Sequence, residues 1–432
     1  MSAEGLAQAR AVMTEGGVHP QAIEVFAHYY EQLESGATGM IAEPDIEPLA
    51  EPPRLADVSV TEEQKRKALD ATAVIKLNGG LGTSMGMDKA KSLLEVTGGR
   101  SFLDIIVGQV RHLRSAYDVR LPLLLMNSFH TRADTLAALE PYPDLAVDSL
   151  PLDFVQNREP KLRADDLTPV SWPDDPALEW CPPGHGDLYT ALDVSGVLRA
   201  LIDQGFLYAS VSNSDNLGAA PDPTMAGWFA ASGAPYAAEV CRRTPADVKG
   251  GYLVVRRSDG RLVLRETAQT RLEDADAASD IERHRYFHTN NLWFDLRALE
   301  NTLARTDGVL GLPLIRNTKT VDPTDPDSPE VIQIESAMGA AVQVFEGATA
   351  IEVDRSRFLP VKTTDDLLLL RSDVYAVNED FRLTAQVDDV PLVELDKEHY
   401  KLIGDFDGRF PHGAPSLVEA TSLTVHGDWT FG

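Results

Sequence analysis

Val74-Ile75-Lys76-Leu77-Asn78-Gly79-Gly80-Leu81-Gly82-Thr83-Ser84-Met85-Gly86-Met87-Asp88-Lys89-Ala90-Lys91-Ser92 runs from a short apolar strand into four glycines and then two lysines. Glycine lets the backbone turn at positive φ and bring its N–H groups close to an anion, and a nearby ammonium offsets the anion's charge. The stretch therefore reads as a phosphate-handling loop. Its spacing separates it from the two common nucleotide loops. Gly80, Gly82 and Gly86 run Gly-x-Gly-x-x-x-Gly, one residue too long for a Rossmann fingerprint, and Gly86 is followed by Met87 where a Walker A loop has lysine.

Around the loop the apolar pattern alternates strand, loop, helix, strand. Val74–Leu77 precedes the glycines, a helix is expected from Phe102 to about Ala116 with Ser101 as its cap and Asp104 in its first turn, and Leu121–Met126 follows. This is a βαβ unit. Strand candidates at Leu152–Val155, Leu207–Ser212, Tyr252–Val255, Leu292–Phe294 and Ala341–Val344 extend it to an α/β fold, a Rossmann-like, mainly parallel sheet with helices on both faces. Ligands in such sheets bind beyond the carboxyl ends of the strands, where the loop after Leu77 and Asp215 after Ser212 both fall. Residues 1–70 read as a helical segment and connector: Ile23, Phe26, Tyr30 and Leu33 recur at helical spacing after Pro20, and an acidic, proline-rich run reaches Pro53. Residues 71–375 form the α/β domain, and 376–432 a charged, mixed closing segment.

The chain has 432 residues, 39 Lys and Arg against 67 Asp and Glu, a net charge of −28, and ordinary hydrophobic (43%) and charged (25%) shares. Such a charge argues against nucleic-acid and anionic-membrane partners, so a phosphorylated substrate must be met by a local positive site. The two cysteines, Cys181 and Cys241, have neither metal-ligand nor disulfide-framework spacing. With no targeting segment and no apolar run long enough to cross a bilayer, a cytoplasmic protein is expected.

Lys76-Leu77-Asn78-Gly79-Gly80-Leu81-Gly82-Thr83-Ser84-Met85-Gly86 with Lys91 resembles the nucleotide loop of the eukaryotic-type UTP–glucose-1-phosphate uridylyltransferases, or UDP-glucose pyrophosphorylases. The resemblance continues in order through Pro182-Pro183-Gly184-His185-Gly186-Asp187, Asn213-Ser214-Asp215-Asn216-Leu217-Gly218-Ala219, Asp247-Val248-Lys249-Gly250-Gly251, Thr289-Asn290-Asn291-Leu292-Trp293 and Arg357-Phe358-Leu359-Pro360-Val361-Lys362-Thr363-Thr364. Related UDP-N-acetylhexosamine pyrophosphorylases resemble the chain less, because their loop usually reads Leu-x-Gly-Gly-Gln-Gly-Thr-Arg. The family implies a GT-A-like nucleotidyltransferase fold in which 71–375 is the catalytic domain. It also implies a carboxyl-terminal left-handed β-helix, whose first coil Leu423 to Gly432 resembles.

The resemblance implies Mg²⁺-dependent formation of UDP-glucose and pyrophosphate from UTP and glucose 1-phosphate, in an enzyme that can be a homo-oligomer. A nucleophile that is already an anion needs no base. Catalysis should come from aligning two anions and offsetting their charge, with lysines, loop amides and a metal-binding carboxylate. Asp215, at a strand's carboxyl end, suits Mg²⁺, which takes one or two carboxylates together with phosphate oxygens. Lys362 lies just before a helix amino terminus, where amides favour phosphate. By the resemblance Lys362 is the catalytic lysine and Lys91 the lysine on UTP. Leu77, Asn78, Gly79 and Gly80 grip the uridine and its phosphates, with Gln156 and Gly184 at the uracil. His185, Asn213, Glu266, Asn290 and Asn291 take the sugar phosphate. Position 288 is His where the family more often has Asn. Lys89 reads as solvated. Competing readings are a uridylyltransferase for galactose or N-acetylglucosamine 1-phosphate, and a non-catalytic nucleotide-sugar-binding protein.

Overall fold

The structure, a computed structural model, describes residues 2–248 and 250–432. The chain is arranged as two compact units, neither of them a single stretch of sequence: the first is drawn from Met1–Asp57, Phe154–Ala209 and Phe229–Glu352, the second from Val58–Asp153, Ser210–Trp228 and Val353–Gly432.

The second unit is built on the βαβ element expected from the glycine stretch. Strand Thr72–Asn78 pairs in parallel with Leu123–Asn127, Val74 facing Leu123 and Asn78 facing Asn127, and the strand ending at Asn213 flanks it on the other side. Helix Phe102–Tyr117 makes the crossover. It starts where Ser101 and Asp104 form a capping box: the Ser101 N–H donates to Asp104 Oδ2 at 2.8 Å, and the Asp104 N–H donates to Ser101 Oγ at 3.2 Å. Ile105, Ile106, Val107 and Val110 of the helix are fully buried, as are Val74, Ile75, Leu124 and Leu125 of the strands. Strands buried on both faces read as continuous apolar runs, which is why these were legible.

The first unit is less parallel. Tyr252–Arg256 and Leu262–Arg265 form an antiparallel hairpin, with Gly260 at φ 71° in its turn. Tyr252–Arg256 also pairs antiparallel with Ile46–Pro48. Strand Tyr286–Asp295, ten residues where three were expected, runs antiparallel to Tyr236–Arg242, which pairs in parallel with Thr349–Glu352. Residues 341–344, expected as a strand, lie instead mostly in the 3₁₀ segment Met338–Gln343. Four residues, Ala341-Val342-Gln343-Val344, are too few for their periodicity to separate a strand from a helical turn. Helix Pro20–Glu34 forms after Pro20 as expected, with Ile23, Phe26, Tyr30 and Leu33 inside.

At the carboxyl terminus Leu392–Glu394 and Ser422–Thr424 make a short parallel pair, and residues 425–432 carry no strand. Among the described residues no helix is long and apolar enough to cross a membrane.

Gly108 tests how tightly the second unit is packed. Replacing glycine by alanine within a helix normally stabilises by about 0.5–1 kcal/mol. Here an added Cβ would stand 2.2 Å from the Phe381 ring, and Phe381 is itself held by its carbonyl, which accepts from Gln109 Nε2 at 3.0 Å. Overpacking of that kind costs about 1–3 kcal/mol, so the steric term wins. Gly108→Ala is expected to lower the melting temperature, and Phe381→Ala in the same chain to recover part of the loss.

Candidate active site

In the second unit, strand Thr72–Asn78 leads its carboxyl end into the glycine loop. The Leu77 carbonyl accepts from the Ser214 N–H and the Gly80 carbonyl from the Lys91 N–H, both at 3.0 Å, so the loop is tied to the turn after Asn213 and closed on itself. Gly82 and Gly86 take φ of 64° and 72°, the region that glycine enters freely. Asn78 is turned inward: its amide donates to Asn127 Oδ1 at 2.8 Å and Thr135 Oγ1 at 2.9 Å. What Asn78 can offer a ligand is main chain, while its side chain braces the loop from beneath.

Lys91 Nζ donates to Asp215 Oδ2 at 2.9 Å and to the Val361 carbonyl. This uses two of its three protons and leaves one for an anion. The other Asp215 oxygen, Oδ1, is buried with no hydrogen-bond partner. A buried carboxylate oxygen without a partner is costly, and a divalent cation is the partner such an atom suits. The donor set therefore fits Mg²⁺. Asn213 lies half-buried at the end of its strand. Asn216 fastens the next segment to this turn, donating to the Arg357 carbonyl at 3.2 Å and accepting from the Leu359 N–H at 2.8 Å. Lys362 follows directly. Its backbone N–H donates to Asp366 Oδ2 at 2.7 Å, while its exposed side chain lines a cavity of about 190 Å³ with Ser84, Lys397 and Lys401. Lys89 is exposed, as expected.

The first unit holds the remaining expected residues. Gly184 sits at φ 78°, and a Cβ there would stand 2.6 Å from the Ser336 carbonyl oxygen, so glycine is required twice over. The Gly186 N–H donates to that carbonyl at 2.8 Å, and the Ser336 N–H donates to the Pro183 carbonyl at 3.0 Å. His185 Nδ1 accepts from the Met338 N–H at 3.0 Å. Burial lowers its pKa, with Glu335 opposing, so the ring is neutral and offers Nε2–H as a donor. Glu266 lies against Gly251, whose added Cβ would stand 2.7 Å from its Oε1, and burial raises its pKa. The Gly251 carbonyl in turn accepts from the His288 N–H at 2.9 Å. Asn290 and Asn291 part company: Asn290 is half-buried at φ 59°, whereas Asn291 is buried with its amide donating to Glu239 Oε2 at 3.2 Å. Glu239 also accepts from Trp293 Nε1 at 3.0 Å. Asn291 is thus a core anchor, while Asn290 stands half-buried beside His288. Lys249 of the Asp247–Gly251 motif lies outside the described residues.

Comparison with known proteins settles the family. The model of the family described as UTP–glucose-1-phosphate uridylyltransferase matches residues 23–432. The UTP–glucose-1-phosphate uridylyltransferase of Saccharomyces cerevisiae is 42% identical over 367 residues, covering 84% of this chain and 72% of the yeast protein. A probable UTP–glucose-1-phosphate uridylyltransferase of Schizosaccharomyces pombe is 38% identical over 94% of this chain and 80% of its own length. The crystal structure of a Leishmania major UDP-glucose pyrophosphorylase mutant in complex with UDP-glucose superposes with a TM-score of 0.90 at 42% identity, covering 98% of this chain and 91% of that one. The chain belongs to the UTP–glucose-1-phosphate uridylyltransferase family.

Two buried charged residues of this uridylyltransferase-family chain have structural roles that the motif blocks containing them did not reveal. Lys76, 1% exposed inside its strand, donates from Nζ to Ser212 Oγ at 2.7 Å and to the Ala219 carbonyl at 2.8 Å, spanning the turn that carries Asp215. The signal was a lysine within an apolar strand. Asp187 accepts from the Asn157 N–H at 2.6 Å and from Asn157 Nδ2 at 2.8 Å, which ties the residue after Gln156 to the Gly184 loop. Burial pushes the Asp187 pKa up to about 7, with the Asn157 donors opposing. Glu159 beside it is raised well above the usual carboxylate range by burial first and by Asp187 and Glu335 after.

A carboxyl raised in the folded state takes up a proton on folding, so its contribution to stability is full below about pH 4 and is lost as pH rises to about 7. Urea unfolding across pH 4–8 should show the stability of the natural chain minus that of Asp187→Asn falling over this window. A difference that stays flat with pH would remove the assignment.

Proposed function

We propose that the protein forms UDP-glucose and pyrophosphate from UTP and glucose 1-phosphate by direct attack of the sugar phosphate on the α-phosphorus. One P–O bond forms as the α–β P–O bond breaks, and pyrophosphate carries the electron pair away. No covalent enzyme intermediate and no proton transfer to the protein are required, since the nucleophile is an anion already. The observation that carries this reading is the half-free pair in the second unit. Lys91 keeps one proton, and Asp215 one buried oxygen, beside a loop whose amides are shaped for phosphate.

Within this reading Asp215 would hold Mg²⁺ through Oδ1, and the bound ion offsets charge on the triphosphate. Leu77 to Gly80 take the uridine through main chain, Lys91 reaches a phosphate oxygen, and Asn213 meets a ligand hydroxyl or phosphate. Lys362, on an exposed stem next to a helix amino terminus, offsets the charge that builds as the two anions approach. From the first unit, Gln156 and Gly184 address uracil, since an amide can both donate to and accept from the imide edge. His185 through Nε2–H, Glu266 and Asn290 address glucose 1-phosphate.

Pyrophosphate release from UTP, glucose 1-phosphate and Mg²⁺ tests the activity directly. Lys362→Ala should lower turnover by at least about a hundredfold with an unchanged melting temperature, the loss expected when one charge-stabilising group is removed. Near-normal turnover would refute its role. Asp215→Asn should abolish the response of the rate to Mg²⁺ over a titration that saturates the natural enzyme, and a retained Mg²⁺ dependence would place the ion elsewhere.

A further inference from the structure

His288 is buried in the first unit, 5% exposed, and none of the roles above uses it. Its surroundings explain why it is there. Where strand Tyr286–Asp295 meets Tyr236–Arg242, the register passes from Ala238 facing Leu292 to Val240 facing His288, so Glu239 alone stands opposite Thr289, Asn290 and Asn291. A bulge of this kind breaks the ladder and re-aims a side chain. The backbone donors of Asn290 and Asn291 are both taken by the side chain two residues earlier. The Asn291 N–H donates to Thr289 Oγ1 at 3.2 Å, and the Asn290 N–H donates to His288 Nδ1 at 3.0 Å. Asn290 has φ 59°, in the left-handed region that asparagine enters more readily than most L-residues, and here its N–H is bonded as well.

His288 is itself held. Its backbone N–H donates to the Gly251 carbonyl at 2.9 Å, and Gly339 lies so close to the ring that an added Cβ would stand 2.8 Å from Cε1. Burial first of all pushes the His288 pKa down to about 4, with the Asn290 side chain opposing and His185 acting in the same direction as burial, so the ring is neutral and Nδ1 keeps the lone pair it needs to accept. Its Nε2 is buried without a partner, which a purely space-filling residue would not require.

We infer that His288 is a positioning residue for sugar recognition: its Nδ1 holds the Asn290 backbone in the left-handed turn that presents the Asn290 amide to glucose 1-phosphate. The inference rests on the sugar role proposed above for Asn290. His288 touches no ligand; it acts through the bulge.

The test uses the full-length enzyme and initial rates with each substrate varied in turn. His288→Leu, which removes the acceptor, should raise KM for glucose 1-phosphate about tenfold or more while kcat and KM for UTP stay within about twofold, the pattern of a lost ground-state sugar contact. His288→Asn should restore KM to within about threefold, because asparagine Oδ1 can accept the N–H two residues on. Should His288→Leu fail to fold, Gly339→Ala, which displaces the ring, must give the same KM-only change. Asn290→Ala separates the two ideas. If it raises KM for glucose 1-phosphate while His288→Leu and Gly339→Ala do not, the positioning role is overturned and the Asn290 role stands. If Asn290→Ala leaves KM unchanged, the Asn290 role falls and the inference with it. Equal loss in both KM values and in kcat for His288→Leu would also overturn it.

Discussion

The ion pair between Lys91 and Asp215 is the constraint on which the arrangement of the second unit's candidate site depends. At an effective dielectric of about 20 a pair this close is worth about 4 kcal/mol of gross attraction, much of which desolvation offsets. Its value is geometric rather than a gain in stability. Lys91 comes from the glycine loop, Asp215 from the turn after a strand, and the Val361 carbonyl from the segment that ends in Lys362. One ammonium thus sets three separate stretches of chain at one point. Each partner is left half-satisfied, the lysine with a proton to give and the carboxylate with a buried oxygen to share, a state that a purely structural salt bridge would avoid.

A comparable economy organises the first unit around Ser336 to Gly339. The Ser336 carbonyl and N–H clamp the Pro183–Gly186 loop, the Met338 N–H orients His185, and Gly339 leaves room for His288. This stretch, which leads into the 3₁₀ segment Met338–Gln343, has no side chain with obvious chemistry. It works through backbone groups and through the absence of a Cβ, which lets neighbouring loops approach to van der Waals distance. Behind it, Asp187 and Glu159 are carboxyls buried deeply enough for burial to raise both, and Asp187 spends its oxygens on Asn157. Stability given up to a buried acid holds the residues after Gln156 in place.

How far the site could be read before folding depended on the kind of interaction involved. Lys91, Asp215 and Lys362 stand out in the sequence because phosphate chemistry needs few residue types and places them after strands and before helices, and the fold brings Lys91 and Asp215 into contact. The same reading set Asn78 among the nucleotide contacts and Asn291 beside Asn290 on the sugar. The fold turns both amides into the interior, Asn78 onto Asn127 and Thr135, Asn291 onto Glu239. Which of two adjacent asparagines is turned into the core is decided by a bulge whose partner strand lies some fifty residues away, as the Asn291–Glu239 bond at a separation of 52 illustrates. No local pattern carries that information.

The sequence by itself determined the α/β class, the parallel core around Thr72–Asn78, the capped crossover helix and the family. Apolar runs, cap residues and glycine spacing are local signals that report backbone conformation directly. Only the tertiary structure decided that the first unit's strands around Tyr252–Arg256 pair antiparallel, that Ala341 belongs to a 3₁₀ turn, that Lys91 is tied to Asp215, and that His288 supports Asn290. Strand direction, and the aim of a polar side chain, follow from partners distant in the chain. Their free energy comes from contacts that exist only once those partners have met.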